Sequence, residues 1–404
     1  MFLGIDDTDS PNGMCTTYLG ALISRKLKSV GYKIFNMRLI RLNPNVIWKT
    51  RGNAGVCIET DAPADYLFKL ACEYVEKYAQ FDCDNTNPGV VVLEKRPAPD
   101  FYYKALRTFC EIEEAEEALK KAGALYRGYK NKRGLIGAYA SICAELPDKT
   151  YECLAYRRPE NFKTLRSYEP EGFFKSQKET EPNTWDTVDF KSNEIVCFSH
   201  GKDPVLYGIR GSSPDYVKKA VSYLKSEEPD FSQIWETNQG TDAHIIYSDK
   251  LYEGGSFSFS GVVESDAKTQ RGGHVSVMIS GVKCFAFEPT KYFRNYVRAL
   301  RCGDKVTVYG SYHNGVLNLE KFHLDYAAKV EQRVSPRCPV CGGRMTSAGK
   351  NKGYKCRVCS ARVRETEMQK RDIEVGWYEV PADSRRHLAK PVCRILSGDA
   401  AKQH

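Results

Sequence analysis

Four cysteines limit what the last part of this chain can fold into more than any other feature. Cys338-Pro339-Val340-Cys341 and Cys356-Arg357-Val358-Cys359 are spaced C-x2-C-x14-C-x2-C, so two tight turns each aim a pair of thiolates at one centre. Four thiolates complete a tetrahedral zinc shell and leave no position for water, so Cys338, Cys341, Cys356 and Cys359 are the expected ligands of a structural zinc ribbon. Redox chemistry is the alternative for a lone Cys-x-x-Cys pair, and two clustered pairs argue against it. The rest of the 15 cysteines are scattered, as buried thiols in a reducing compartment are.

The same region carries the charge. Residues 329–404 hold 17 lysines and arginines against 8 acids, an excess equal to the +9 of the whole chain, so residues 1–328 are balanced. A basic end on a balanced body suits a polyanion, nucleic acid foremost; a solvated charged surface is the plainer alternative. Arg344, Lys352, Tyr354, Lys355 and Arg357 stand around the cysteines and are the expected grip on a phosphate backbone. Trp377, Tyr378, Arg385, Arg386 and Arg394 are expected to extend that surface.

At the other end, the apolar run Phe2-Leu3-Gly4-Ile5 delivers Asp6, Asp7 and Asp9 to the carboxyl end of a strand, and Pro11-Asn12-Gly13 turns into Thr16 and Thr17 at the head of a helix. Crowded carboxylates repel unless a cation sits among them, and hard oxygen ligands suit Mg2+ carrying a nucleotide's phosphates. Gly13 and the free amides of the next helix suit phosphate oxygens. The plain reading of one such Asp is a helix cap, and the Walker lysine is missing.

Length implies roughly two to four domains. No secretory n-region precedes Phe2 and no apolar run is long enough to span a bilayer, so a soluble cytoplasmic protein without a membrane partner is expected. Alternating strands and helices in the first part, including strands at 34–42, 56–59 and 89–93 and one long acidic helix at 101–121, predict an α/β layer. The loop 43–55 gathers Trp48, Lys49, Arg51 and two glycines, which makes it a candidate phosphate clamp or a plain surface loop. Residues 148–185 read as loop-rich, with strands at 195–200 and 205–209 and a helix at 214–224, in a ferredoxin-like pattern. His200 and His244 are candidates that structural hydrogen bonding also explains. Alternating stretches at 256–264, 274–280, 282–287, 305–312 and 315–322, with a helix at 292–300, follow the plan of an OB-fold β-barrel. Tyr309, Tyr312 and His313 are candidate stacking surfaces on it.

Gly4-Ile5-Asp6-Asp7-Thr8-Asp9-Ser10 with Gly13-Met14-Cys15-Thr16-Thr17, Arg41-Leu42-Asn43-Pro44, Lys49-Thr50-Arg51-Gly52-Asn53, Tyr207-Gly208-Ile209-Arg210-Gly211 and Thr237-Asn238-Gln239-Gly240-Thr241-Asp242-Ala243-His244 together resemble the archaeal tRNA(Ile) 2-agmatinylcytidine synthetases. The resemblance covers essentially the whole chain. It implies an α+β multidomain protein: a kinase-like ATP-binding catalytic domain (1–130), a ferredoxin-like domain (131–250), an OB-fold (251–330), and a zinc ribbon with a basic tail (331–404). It implies ATP-dependent ligation of agmatine to C2 of the wobble cytidine of a CAU anticodon in tRNA(Ile), with Asp6, Asp7 and Asp9 as the metal and phosphate-transfer group and Thr16 as a phosphorylated residue. By segment, it implies Lys49, Arg51, Asn53 and Arg210 around ATP, beside Gly13 of the first motif, and tRNA held by the OB-fold and the zinc ribbon. Asp203 or Asp242 is chemically suited to the guanidinium of agmatine. Two rivals stay open: a non-catalytic RNA-binding protein, and an ATP-dependent RNA ligase using another amine.

Overall fold

Alternating apolar residues on the strands sort the first part of the chain into layers. The computed structural model describes residues 1–49, 52–199, 201–349, 351–371 and 373–401; Thr50, Arg51, His200 and Lys350 lie outside them. The described chain forms two compact units, one of Met1–Ser258, Tyr309–Gly315 and Glu379–His404, the other of Phe259–Val308 and Val316–Tyr378. Among the described residues, no helix is long and apolar enough to cross a membrane.

The first unit begins β1 (Phe2–Asp6), α1 (Thr16–Ser29), β2 (Ile34–Arg41), β3 (Ala54–Thr60), α2 (Ala64–Tyr78), β4 (Gly89–Leu93), α3 (Asp100–Arg107), α4 (Ile112–Lys121), β5 (Leu125–Gly128) and α5 (Gly134–Cys143). It continues β6 (Thr150–Tyr156), α6 (Pro170–Thr180), β7 (Thr184–Trp185), β8 (Val188–Asp189), β9 (Glu194–Ile195), β10 (Val205–Gly211), α7 (Pro214–Val221), β11 (Phe231–Thr237) and β12 (Ile245–Tyr247). A nine-stranded sheet runs β5-β4-β1-β3-β2-β11-β6-β10-β7. Its two halves meet in a short parallel seam, Arg38 beside Glu236 and Leu39 beside Thr237. Leu3, Ile5, Val56, Ile58, Val90 and Val92 point to α1 and α2, while Cys57 and Val91, one residue out of phase, point to α3 and α5.

Helix α5 lies closest to the sheet. Its sequence, GLIGAYASIC, has almost no polar face, and nearly all of it is buried, as an all-round apolar helix must be. Glycines set the distance: a Cβ on Gly4 would stand 2.1 Å from the Ala138 carbonyl oxygen, one on Gly55 2.7 Å from that of Gly137, and one on Gly89 2.3 Å from the Gly134 carbonyl carbon.

The second unit takes in most of β13 (Ser256–Val262), then β14 (Lys268–Thr269), β15 (Val275–Ile279), β16 (Val282–Ala286), α8 (Phe293–Ala299), the start of β17 (Lys305–His313) as far as Val308, and all of β18 (Val316–Tyr326). Beyond them come β19 (Glu331–Val334), β20 (Thr346–Ser347), β21 (Tyr354–Lys355), β22 (Arg362–Val363), β23 (Glu367–Lys370) and β24 (Gly376–Glu379), and α9 (Val392–Ala401) closes the first unit. The sheet runs β13-β17-β18-β16-β15-β14, with β24 also on β18. β16 and β18 are parallel, and an isolated bridge joins Val263 to Ile279. β20, β21 and β22 form a separate small sheet.

Four expectations change. The single helix at 101–121 is two, α3 and α4, broken at Thr108–Cys110 because Glu111 starts a new helix in a capping box with Glu114. The loop-rich stretch 148–185 contains α6, with Pro170 in its first turn, and the strand expected at 195–200 is only β9. The residues expected to extend a basic surface are in part engaged within their own units. Tyr378 stacks on Phe322 with ring centroids 5.0 Å apart, whereas Arg385 pairs with Asp186 and Glu379, and Arg394 with Asp148, inside the first unit.

Gly4→Ala would drive a methyl into backbone that cannot rotate away, and overpacking of this kind costs about 1–3 kcal/mol or more. Its thermal midpoint should fall clearly, whereas Gly398→Ala, where a Cβ meets nothing within 4 Å, should leave it level or raise it.

Candidate active site and metal centre

Beyond the end of β1 lies a cavity of about 370 Å3 whose wall includes Asp6, Asp7, Asp9 and Thr16. The chain leaves β1 through Asp7 at φ 59°, a left-handed conformation that Asp and Asn tolerate better than most residues. That turn lets Asp6 Oδ1 accept from the Asp7 N–H at 2.6 Å and Asp7 Oδ2 accept from the Asn87 N–H at 3.0 Å. Burial, then the charges of Asp7 and Asp9, push the Asp6 carboxyl well above its usual range. Burial raises Asp7 to about 7, with Asp9 adding and the Asn87 N–H, Arg133 and Lys130 opposing. Carboxylates that resist ionisation in each other's company form a donor set that a divalent cation relieves.

Helix α5 brings its amino end to this group. Arg133, Gly134, Ile136 and Gly137 line the cavity, and a Cβ on Gly137 would lie 1.7 Å from Asp6 Oδ2. Only glycine leaves room for that carboxylate, and the positive end of the helix dipole favours negative charge there. Thr16, first residue of α1, is buried, and its Oγ1 accepts from Thr8 Oγ1 at 3.0 Å.

A polar network spans the rest of the wall. Arg210 donates from Nε to Glu152 at 3.1 Å, lies 3.5 Å from Asp186 and donates from Nη2 to His387 Nδ1 at 2.7 Å. Arg41 donates to Gln239 Oε1 at 3.2 Å, and burial lowers its pKa to about 10. Burial and the guanidiniums of Arg41 and Arg210 hold His387 well below the usual histidine value; its ring is open to the cavity, which makes the two cations the firmer cause. A neutral ring with Nδ1 as acceptor carries its proton on Nε2.

The cavity gathers most of the expected residues. Lys49 and Asn53 line it, Lys49 donating to the carbonyls of Pro44 (2.5 Å) and Val46 (2.8 Å) and Asn53 to that of Asn43 (3.1 Å). Asp203 also lines it, accepting from Ser199 Oγ and from the Val205 N–H at 2.9 Å. Gly13 is not in the wall; it pairs with Ser10 across the turn. Asp242 is elsewhere too, because its Oδ1 accepts from the Lys390 N–H at 2.7 Å and so holds the C-terminal segment. Arg51 is outside the described residues. Sequence reasoning missed Arg41, Glu152, Asp186 and His387 as wall residues. Arg41 opens a quoted motif, but no local pattern marks the others.

In the second unit, the Sγ atoms of Cys338, Cys341, Cys356 and Cys359 all lie within 4.8 Å of one another, which fits one tetrahedral zinc. Backbone N–H groups of Cys359 and Val358 lower Cys356 to about 6, favouring the thiolate. Arg344, Lys352, Lys355 and Arg357 are exposed around the knot, whereas Tyr354 is half-buried against the cysteines, its hydroxyl 3.2 Å from Thr366 Oγ1.

Comparison with known proteins agrees along the whole length. Family models described as the TiaS TCKD domain, the TiaS FLD domain and the TiaS C-terminal zinc ribbon domain match residues 2–63 and 59–131, 132–244, and 335–374. The chain is 60% identical over 402 residues to the tRNA(Ile) 2-agmatinylcytidine synthetase TiaS of Methanocorpusculum labreanum, covering 98% of this chain and 97% of that one. The namesake in Archaeoglobus fulgidus is 41% identical over 410 residues, with 98% and 97% covered. A crystal structure of TiaS in complex with its isoleucine tRNA and ATP superposes with a TM-score of 0.85 at 40% identity, covering 97% of both chains. One of TiaS with the same tRNA, AMPCPP and agmatine gives 0.83 at 38%, covering 97% and 96%.

Mixed α/β domains with a carboxylate-lined cavity and a four-cysteine ribbon define a multidomain enzyme of tRNA modification. The chain belongs to the TiaS family, the tRNA(Ile) 2-agmatinylcytidine synthetases.

Asp7 holds a proton up to about pH 7 when folded and only to about 3.9 when unfolded. The folded chain therefore binds the extra proton in that window, and stability falls as pH rises across it. Between about pH 5 and pH 8 without divalent cations, the thermal midpoint of Asp7→Asn should drop less than that of the unmodified chain; equal slopes would contradict the raised Asp7 carboxyl. Metal analysis should find one zinc per purified chain and none in Cys338→Ser.

Proposed function

We propose that this chain joins agmatine to C2 of the wobble cytidine in the CAU anticodon of tRNA(Ile), consuming ATP to make the base oxygen a leaving group. The observation that carries this is the cavity in which Asp6, Asp7, Asp9 and Thr16 face Arg41, Lys49, Arg133 and Arg210. The names of the relatives and the tRNA, ATP and agmatine in the solved complexes support it. A cytoplasmic location goes with this reading.

The chemistry sets the requirements. The C2 oxygen leaves too poorly for an amine to displace it, so the terminal phosphoryl group of ATP is first transferred to that oxygen. The primary amine of agmatine then attacks C2 and loses a proton, and the C–O electrons depart with phosphate. Asp6, Asp7 and Asp9 are the residues to hold Mg2+, which when bound would neutralise charge on the transferring phosphoryl group. Lys49, Arg133 and the amino end of α5 offset charge on the phosphates, with Arg51 and Asn53 from the same loop as Lys49. Thr16 shares the wall with the carboxylates, consistent with a phosphorylated residue. Arg210, held by Glu152 and His387, presents a fixed guanidinium to the nucleotide. Asp203 is the carboxylate we assign to the guanidinium of agmatine, and Asp242 is given up for that role because it anchors the C-terminal segment.

The proposed domains are kinase-like (1–130), ferredoxin-like (131–250), OB-fold (251–330) and zinc ribbon with tail (331–404). The β13-β17-β18-β16-β15 order, the parallel β16–β18 pair, the Val263–Ile279 bridge and α8 before β17 support the OB assignment. The exposed Arg344, Lys352, Lys355 and Arg357 are the proposed tRNA grip, with Tyr354 supporting the knot beneath them.

Incubation with a tRNA(Ile) CAU transcript, ATP and labelled agmatine should leave label in the RNA. Label that enters only from another amine, or RNA binding without any incorporation, would favour the rivals. Asp7→Asn should lose about a hundred- to a thousandfold in rate, as removal of a main electrostatic group does, with tRNA affinity kept. Cys338→Ser should weaken tRNA binding and spare ATP hydrolysis.

A further inference from the structure

At the mouth of the cavity, two aromatic rings are left uncovered. Trp48 is 49% exposed and Phe109 38% exposed; both line the cavity, and their centroids are 6.2 Å apart at an interplanar angle of 72°. The Arg133 guanidinium lies 4.5 Å from the centroid of the Trp48 ring. Neither aromatic is on a loose tether. Asn43, itself buried, donates to the carbonyls of Thr108 and Gly254, each at 3.1 Å, and caps the Asn45 N–H at 2.9 Å. Asn45 donates to the Gly254 carbonyl at 2.9 Å and accepts from Arg386 at 2.5 Å. Phe109 sits in the break between α3 and α4, so the break itself sets its ring beside Trp48.

We infer that Trp48, with Phe109 and Arg133, is a stacking platform for an RNA base next to the one that enters the cavity. The inference rests on the proposed function. An enzyme that must reach C2 takes the reacting base out of its stack, and the neighbouring base then loses one stacked face. Aromatic side chains restore such faces without regard to base identity, and a guanidinium adds cation–π attraction and a phosphate contact. A cavity of about 370 Å3 that takes in the reacting base together with ATP phosphates leaves the next nucleotide at the rim. There Arg386, which donates to Asn45 of the same loop as Trp48, supplies charge complementary to an RNA backbone. The adenine of ATP is the competing occupant of a flat ring, and the test separates the two.

The full-length protein, without ATP, is titrated with a CAU-containing pentaribonucleotide and with the same backbone lacking its bases, while tryptophan emission and affinity are followed. Trp185 and Trp235 are buried and Trp377 packs on His323 at 5.0 Å, so Trp48→Phe supplies the baseline for the Trp48 signal. The base-bearing RNA should quench Trp48 and bind about 10- to 100-fold tighter than the abasic one. Trp48→Ala should remove most of that difference, Phe109→Leu part of it, and Trp48→Phe should restore it. Equal affinity for the two RNAs, or undiminished discrimination by Trp48→Ala, overturns the inference. Quenching by ATP alone, with none by RNA, also overturns it and assigns the rings to adenine. Because the readout is binding, failure of agmatine incorporation by the unmodified chain registers separately as failure of the proposed function.

Discussion

The cavity depends on how closely α5 lies on β1, β3 and β4. Strand glycines bring its backbone within reach of theirs, and Gly137 leaves space for the Asp6 carboxylate that no side chain would. This contact carries the amino end of α5, with its dipole and Arg133, to the place where three carboxylates crowd. Burial, with the neighbouring charges adding to it, would keep Asp6 and Asp7 protonated and inert. A helix dipole and nearby cations lower that cost, and a divalent ion removes more of it. The same packing that stabilises the sheet therefore prepares a site for phosphate chemistry.

The second constraint is the return of the chain end. After the zinc ribbon, residues 379–401 belong again to the first unit. Arg394 pairs with Asp148 and donates to the Gly240 carbonyl, Lys390 is held by Asp242, and Arg385 pairs with Asp186. This segment puts His387 against Arg210, so the cavity wall is completed by residues that follow the ribbon in sequence.

Much of this was legible beforehand. An apolar strand ending in Asp6-Asp7-Thr8-Asp9 is a local pattern, as are the valine run of β4 and the two Cys-x-x-Cys turns, because each needs only neighbours in sequence to declare itself. The break between α3 and α4 was hidden because Glu111 and Glu114 read as part of an acidic helix; only as a capping box do they start a new one. Helix α6 was missed although Pro170 marks its first turn, since its apolar face is thin. The greater loss was at the site: Glu152, Asp186 and His387 come from three segments, and nothing local in a lone Glu, Asp or His says that tertiary packing will set them beside Arg210. The arginines of the tail were read as surface for the same reason, since an ion pair across more than a hundred residues has no sequence signature.

The central claim is that the carboxylate cavity puts a phosphoryl group on the cytidine oxygen before the amine arrives. Its most direct test uses tRNA labelled with 18O at C2 of the wobble cytidine, with mass analysis of the products after one turnover. The account predicts that the label leaves in inorganic phosphate; label in AMP or in water, with phosphate unlabelled, would contradict it.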